Sequence, residues 1–252
     1  MIPARIFQTW KDKATIPANF RAWSETFRNL NPGFQYELWD DGDNRRFIAT
    51  EFPWFAEIYA GYPAEIYRVD AVRYFYLYLF GGIYADLDTA CLKPLDDLTR
   101  KSGVLLGRMG IDEKFNHSIP NAIMAASPRC EFWLFVISLL MHFSVYRARP
   151  ELITGPVVLK SAVDLYLAND PLFVESKVKE VARLLGDQQR PAPGKSRIEL
   201  LESRRWYPLN WNDPVHDVLR QRVLSVSVPE EVDTKQLFRN SEMVTYWAHS
   251  WE

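Results

Sequence analysis

RVDAVRYFYLYLFGGIYADLD, residues 68–88, decides the fold of this chain. It reads as a helix, a Gly-Gly stop and a short strand that ends in two carboxylates. Asp70 and Arg73 are three apart, so a helix puts them on one face. Around them stand Val69, Ala71, Val72, Tyr74, Phe75, Tyr76, Leu77 and Leu79. A helix apolar on nearly every side is a buried one, and a carboxylate and a guanidinium there need strong partners or a charged ligand. Gly81 and Gly82 supply the permissive backbone that ends the helix. The strand then alternates: Ile83, Ala85 and Leu87 point one way, and Tyr84, Asp86 and Asp88 the other. Two carboxylates on one face at a strand end repel unless a cation neutralises them. Oxygen ligands suit a hard ion such as Mg²⁺ or Mn²⁺, which commonly bridges to phosphate.

The chain's 252 residues suit one domain with a substantial core. A net charge of −2 argues against a nucleic-acid binder that works by bulk electrostatics. Nine Trp and 12 Tyr make the chain rich in rings that suit sugar faces and nucleobases as well as cores. Cys91 and Cys130 form no disulfide framework and have no zinc-site spacing, so reduced, buried thiols are expected. The start of the chain lacks a signal-peptide pattern. The longest apolar stretch, Phe132 to Tyr146, contains His142 and is shorter than the roughly 20 residues of a spanning helix, so it reads as a core helix. A soluble, cytoplasmic protein is the expectation.

Strands are expected at Arg5–Thr9, Phe34–Trp39, Val104–Arg108, Ala122–Ala126, Ile198–Leu201 and Met243–Trp247. Helices are expected at Trp23–Leu30, Asn44–Thr50, Trp54–Tyr59, Cys130–Tyr146, Val157–Leu167 and Val178–Leu185. Asp40-Asp41-Gly42-Asp43 reads as a turn. Alternating strands and helices argue for an α/β fold with a mainly parallel sheet and ligands at the strand C-termini. Trp10 and the Asp86/Asp88 pair fall at such ends. Arg204-Arg205-Trp206-Tyr207 and Trp211 form a basic and aromatic set that reads as a solvated loop with anchoring aromatics, or else as a patch that could meet a lipid-linked acceptor or an anionic membrane surface.

The ordered motifs carry a resemblance. Ile2-Pro3-Ala4-Arg5-Ile6-Phe7-Gln8-Thr9-Trp10, Asn31-Pro32-Gly33-Phe34, Leu38-Trp39-Asp40-Asp41, the 68–74 segment, the 81–88 segment and Lys93-Pro94-Leu95 together resemble the Asp-x-Asp glycosyltransferases of the GT-A fold. The likeness is to glycosyltransferase family 32, with weaker echoes at Asn121, Thr154-Gly155-Pro156 and His249-Ser250-Trp251. Phe7 departs from the pattern, since many relatives have His there.

The resemblance implies one GT-A domain over residues 1–252, with a nucleotide-sugar half at about 1–100 and an acceptor half at about 101–252. It implies transfer of a sugar, with retention of configuration, from a UDP- or GDP-sugar to a glycan, glycolipid or lipid-linked acceptor, with Mn²⁺ or Mg²⁺ as cofactor and peripheral membrane contact as an option. Asp86 and Asp88 would hold the metal, joined by His249 or Ser250. Asp70 and Arg73 would hold the donor sugar hydroxyls, with Arg73 on sugar or phosphate oxygens, and Asn121 would lie near the transferred sugar or the acceptor. Gln8, Thr9 and Trp10 would receive the base, and the Trp251 indole would donate to phosphate. Two alternatives remain open: a toxin-like enzyme that glycosylates a protein, and a non-catalytic carbohydrate-binding protein on a transferase fold.

Overall fold

The computed structural model describes residues 1–168, 170–225 and 234–248. Eight strands are ordered along that chain: β1 (Arg5–Thr9), β2 (Gln35–Trp39), β3 (Gly82–Ala85), β4 (Thr89–Cys91), β5 (Val104–Gly107), β6 (Ile123–Ala126), β7 (Ile198–Leu201) and β8 (Met243–Thr245). Six of them form one sheet in the order β2-β1-β3-β6-β5-β7. β1 runs parallel to β2 and β3, β5 runs parallel to β7, and β6 alone is antiparallel to its neighbours. The sheet is therefore mainly parallel, as expected. β4 and β8 pair antiparallel as a separate ribbon.

The sheet is positioned by helices whose apolar faces follow the expected period. In Ala18–Leu30 the buried residues are Phe20, Trp23, Ser24 and Phe27, one stripe at helical spacing. Asn31 stops this helix: its amide donates to the Phe27 carbonyl (2.8 Å), and its side-chain oxygen accepts from the Leu95 N–H (2.7 Å). In the helix Glu65–Leu79 every residue from Asp70 to Tyr78 is buried. One of its sides packs on Glu131–Phe143, the apolar helix of the sequence reading. Phe7, at the position where His was noted in relatives, stacks on Tyr76 at 5.1 Å and is 1% exposed. It is a core residue here.

The Gly-Gly stop works as expected. Gly81 and Gly82 both have positive φ, +64° and +96°. A Cβ would lie 2.6 Å from the Pro128 nitrogen at Gly81 and 2.7 Å from the Arg5 carbonyl oxygen at Gly82. Only glycine lets β3 come this close to β1.

Four details differ from the sequence reading. Residues 41–43 are the first turn of the helix Asp41–Glu51, not a free turn. Asp40 caps it, accepting from the Asp43 N–H (2.9 Å), while the Asp43 carboxylate accepts from the Asp40 N–H (3.1 Å). The helix expected at 178–185 starts earlier, as Pro171–Ala182, because Asp170 caps Phe173 N–H (3.1 Å) and Pro171 suits the first turn. β3 stops at Ala85, and Asp86 to Thr89 is a turn closed by the Thr89 N–H on the Asp86 carbonyl (3.1 Å). Strand alternation therefore does not set the direction of Asp88. Finally, the basic and aromatic set at 204–207 is no surface patch: Trp206 and Tyr207 are 0% and 1% exposed, and Arg205 pairs with Glu242. Among the described residues no helix is long and apolar enough to cross a membrane.

Candidate active site

The helix Glu65–Leu79 delivers Asp70 and Arg73 to the C-terminal end of β3. Their side chains are 9% and 3% exposed and lie 3.0 Å apart. Arg73 Nη1 donates to the Asn121 carbonyl (2.8 Å) and lies 3.2 Å from Asp86 Oδ1. Its guanidinium rests 4.6 Å from the Tyr84 ring centre. The Tyr84 hydroxyl donates to Asp86 Oδ1 (2.7 Å). Asn121, just before β6, donates from Nδ2 to Asp70 Oδ1 (3.0 Å) and to the Tyr74 hydroxyl (3.3 Å). Tyr74 in turn donates to the Thr154 carbonyl (2.9 Å). A Cβ built on Gly155 would sit 3.0 Å from Asp70 Oδ2 and 2.7 Å from the Glu151 Cα. The 151–155 turn thus closes directly over Asp70.

One oxygen of each of two carboxylates is spoken for: Asp70 Oδ1 by Arg73 and Asn121, and Asp86 Oδ1 by Arg73 and Tyr84. Their Oδ2 atoms have no hydrogen-bond partner among the described side chains and backbone. Asp88 is held from β8 and the residues after it. Thr245 Oγ1 donates to its Oδ1 (3.3 Å) and the Ala248 N–H to its Oδ2 (2.7 Å). β8 therefore supplies what strand alternation does not.

The electrostatics show a surplus of acid. Three carboxylates face one guanidinium. Burial pushes the Asp70 carboxyl up to about 6, with Arg73 opposing and Asp86 adding to the rise. Burial and then the neighbouring Asp86 charge push Asp88 up to about 6. Asp86 is also raised, by burial, against the pull of Arg73. Such a cluster favours an added cation. Among the described residues no set of three or more His, Cys, Asp or Glu gathers as a metal cage. Two carboxylates at a strand end do fit a hard divalent ion that takes its remaining ligands from other oxygen donors and water.

Gln8, Thr9 and Trp10 lie at the end of β1. Gln8 is fully buried; it donates to the Asp86 carbonyl (3.1 Å) and accepts from the Tyr36 hydroxyl (2.7 Å). It braces the Asp86 turn in this conformation. Thr9 donates to the Trp39 carbonyl (2.9 Å) and accepts from Asn44 (3.0 Å). Trp10 packs on Phe20 at 4.9 Å, and its indole N–H is buried without a partner among the described residues. His249, Ser250 and Trp251 lie outside the described residues. Two surface clefts, of about 580 and 420 Å³, border Trp39 and Tyr59 and are lined by none of Asp70, Arg73, Asp86, Asp88 or Asn121.

The structure also brings in residues to which the sequence reading gave no role. Tyr84 was legible as sharing the strand face of Asp86. Tyr74 looked like one more aromatic of a buried helix. Glu151 had no local signal beyond its place next to Thr154-Gly155-Pro156.

Residues 17–105 match the family described as the glycosyltransferase sugar-binding region containing the DXD motif. Inositol phosphoceramide mannosyltransferase 3 of Schizosaccharomyces pombe is 37% identical over 162 residues, covering 63% of this chain and 44% of the relative. Inositol phosphoceramide mannosyltransferase 2 of the same organism is 31% identical over 214 residues, covering 82% and 59%. The chain thus spans roughly half the length of these curated relatives. The solved structure of the PaToxG glycosyltransferase superposes with a TM-score of 0.52 at 16% identity, over 75% of this chain and 78% of that one. That likeness concerns the fold. Residues 17–105, with the Asp86-Leu87-Asp88 turn at the end of β3, thus match the DXD-containing glycosyltransferase sugar-binding family, on an α/β fold of the GT-A kind.

Proposed function

We propose that this protein is a metal-dependent, retaining glycosyltransferase that moves a hexose from a UDP- or GDP-sugar to a glycan or glycolipid acceptor. The observation that carries this reading is the Asp70–Arg73–Asn121–Tyr84–Asp86 network beside Asp88, an acid-rich cluster at the sheet's C-terminal edge within the family-matched segment. The names of the relatives favour mannose as the sugar and a phosphoinositol lipid as the acceptor. Residues 1 to about 100 would form the donor half, and the rest the acceptor half.

Asp88, with Asp86, would hold the divalent ion, which when bound neutralises charge on the departing diphosphate. Arg73 is a fixed, always-charged fork aimed between Asp70 and Asp86, suited to an oxygen of the sugar or phosphate. Asp70 Oδ2 is an acceptor for a donor-sugar hydroxyl, and Asn121 fixes its orientation. In the reaction the bond between the anomeric carbon and the phosphate oxygen breaks, and its electron pair leaves with the diphosphate. The acceptor oxygen bonds to the same face of that carbon, and its proton passes to the departing phosphate oxygen. The 151–155 turn over Asp70 would help exclude water, which limits donor hydrolysis. Trp10 and Thr9 would border the base, with Gln8 bracing the Asp86 turn. Residues 249–251 would complete the diphosphate site. The Ala248 N–H on Asp88 supports this, since the chain passes the carboxylate immediately before His249.

The test is a donor panel of UDP-glucose, UDP-galactose, UDP-N-acetylglucosamine and GDP-mannose with Mn²⁺, read as nucleotide release. Release from one donor that stops in EDTA supports the proposal. No release from any donor, together with Mn²⁺-independent binding of UDP and GDP, would overturn it.

A further inference from the structure

Three rings cluster on segments that are tied to the candidate site. Phe115 and His117 come from the loop between β5 and β6, and Trp211 from the segment after Tyr207. Their ring centres lie 5.5 Å (Phe115–His117), 5.9 Å (Phe115–Trp211) and 5.6 Å (His117–Trp211) apart. All three are half-buried, and the loop residues around them, 111–114 and 116, are exposed. Phe115 and Trp211 pack against the core on one side without joining its buried set.

Three links fix this cluster beside the donor site. His117 is four residues before Asn121, and the loop is pinned by the Met109 N–H on the Ser118 carbonyl (2.9 Å). The segment leading into Trp211 is tied at two points. The Tyr207 hydroxyl accepts from the Ile123 N–H (2.7 Å), and the Trp247 indole donates to the Leu209 carbonyl (3.0 Å) one residue before the Ala248 contact with Asp88. Glu151 is the third link. It abuts Gly155, which lies over Asp70, and its charge acts on both Asp70 and His117. Burial and Arg149 lower the His117 pKa against Glu151, so the ring is mainly neutral at pH 7. A neutral imidazole offers a face and one donor rather than a charge.

We propose that Phe115, His117 and Trp211 are the acceptor platform, taking the apolar face of a hydroxylated six-membered ring, a sugar or cyclitol, with Glu151 accepting from one of its hydroxyls. Aromatic faces supply flat apolar area to such a ring, while the polar groups at their edges fix its rotation. The platform is linked to the Asp70 side through Glu151 and to the Asp88 side through the Trp247 tie. This inference rests on the transferase reading for its role but not for its ligand.

The experiment has two readouts on full-length protein. Saturation-transfer NMR with methyl α-D-mannopyranoside and with myo-inositol reports ring binding without turnover. Wild type should show ring-proton signals with at least one probe. These should be lost in Trp211→Ala and weakened in Phe115→Leu, and Trp211→Phe should restore them. A thermal melt confirms that each variant is folded; if Trp211→Ala is not, Phe115→Leu against wild type decides. In nucleotide release stimulated by the bound probe, the acceptor KM should rise tenfold or more in Trp211→Ala, without a parallel rise in donor KM. Absence of signal from both probes in wild type, or equal signal in folded variants, overturns the platform. Probe binding without nucleotide release from any donor overturns the enzyme reading and leaves the platform standing.

Discussion

Asp70→Asn separates a residue kept for a ligand from one kept for the fold. The carboxyl is nearly buried and shares one guanidinium with Asp86. Asparagine has the same shape and can still accept from Arg73 and Asn121 through its oxygen. It removes only the charge, and it puts an amide where Oδ2 stood. The sign of the stability change follows from the raised carboxyl. The folded protein holds this proton more tightly than the unfolded chain does. The resulting stabilisation is complete below the unfolded value of 3.8 and is lost as pH rises through about 6. The shift of about two units corresponds to about 3 kcal/mol at about 1.4 kcal/mol per unit. Asparagine mimics the protonated form, so the variant should match wild type near pH 4 and exceed it by up to about 3 kcal/mol at pH 7. For a chain of this size that is a rise in Tm of several degrees. Activity should move the other way. Loss of a charge-assisted hydrogen bond to the donor costs about 3 kcal/mol, or roughly a hundredfold in turnover. Urea unfolding from pH 4 to 7 and Mn²⁺-dependent nucleotide release on the same samples measure both. A variant less stable than wild type at pH 7 by more than about 2 kcal/mol, or one with turnover within tenfold of wild type, would refute the reasoning.

Asp88→Asn should reduce turnover at least a hundredfold and make nucleotide affinity insensitive to Mn²⁺, read by calorimetric titration of UDP and GDP with metal or EDTA. Tyr84→Phe removes the hydroxyl that orients Asp86 Oδ1; turnover should fall about tenfold and stability by about 1 kcal/mol, measured by nucleotide release and urea unfolding. Trp251→Phe keeps the ring and removes the indole donor, so the Kd for UDP or GDP with Mn²⁺ should weaken about tenfold while Tm stays within about 2 °C. An unchanged Kd would take Trp251 out of the diphosphate site.

The sequence carried the central half of the fold because its signals there are local. Apart from Asp70 and Arg73 the run from Val69 to Leu79 is apolar on nearly every side, and a helix of that kind belongs in the interior. Gly81-Gly82 marked the chain's reversal, and the positive φ at both confirms why glycine stands there. The burial of Asp70 and Arg73 followed from their neighbours alone. Alternation does not set the direction of Asp88, because a turn after Ala85 ends the strand, and the residues that hold Asp88 are Thr245 and Ala248, more than 150 positions on. No local pattern reports a contact of that separation. Likewise Arg204-Arg205-Trp206-Tyr207 reads locally only as a basic and aromatic set, whereas Glu242, the partner of Arg205 and Trp206, lies on a distant segment.

The same division explains why the donor side was more legible than the acceptor side. Asp70, Arg73, Tyr84, Asp86 and Asp88 fall within 21 residues, on one helix and the strand and turn that follow it. Their spacing alone suggests a charged ligand. The acceptor side is assembled from a loop at 115–117, a turn at 151–155 and a segment near 211, none of which has a regular period. Loops held by a rigid sheet can change their side chains without disturbing the strands beneath them. On the proposed function, the 70–88 segment would grip a nucleotide diphosphate and be under one constraint, and the loops at the proposed acceptor platform would be under another. On that argument, substitutions at Phe115, His117 and Trp211 should change which acceptor is used. Substitutions at Asp70, Arg73 and Asp88 should abolish transfer to any acceptor.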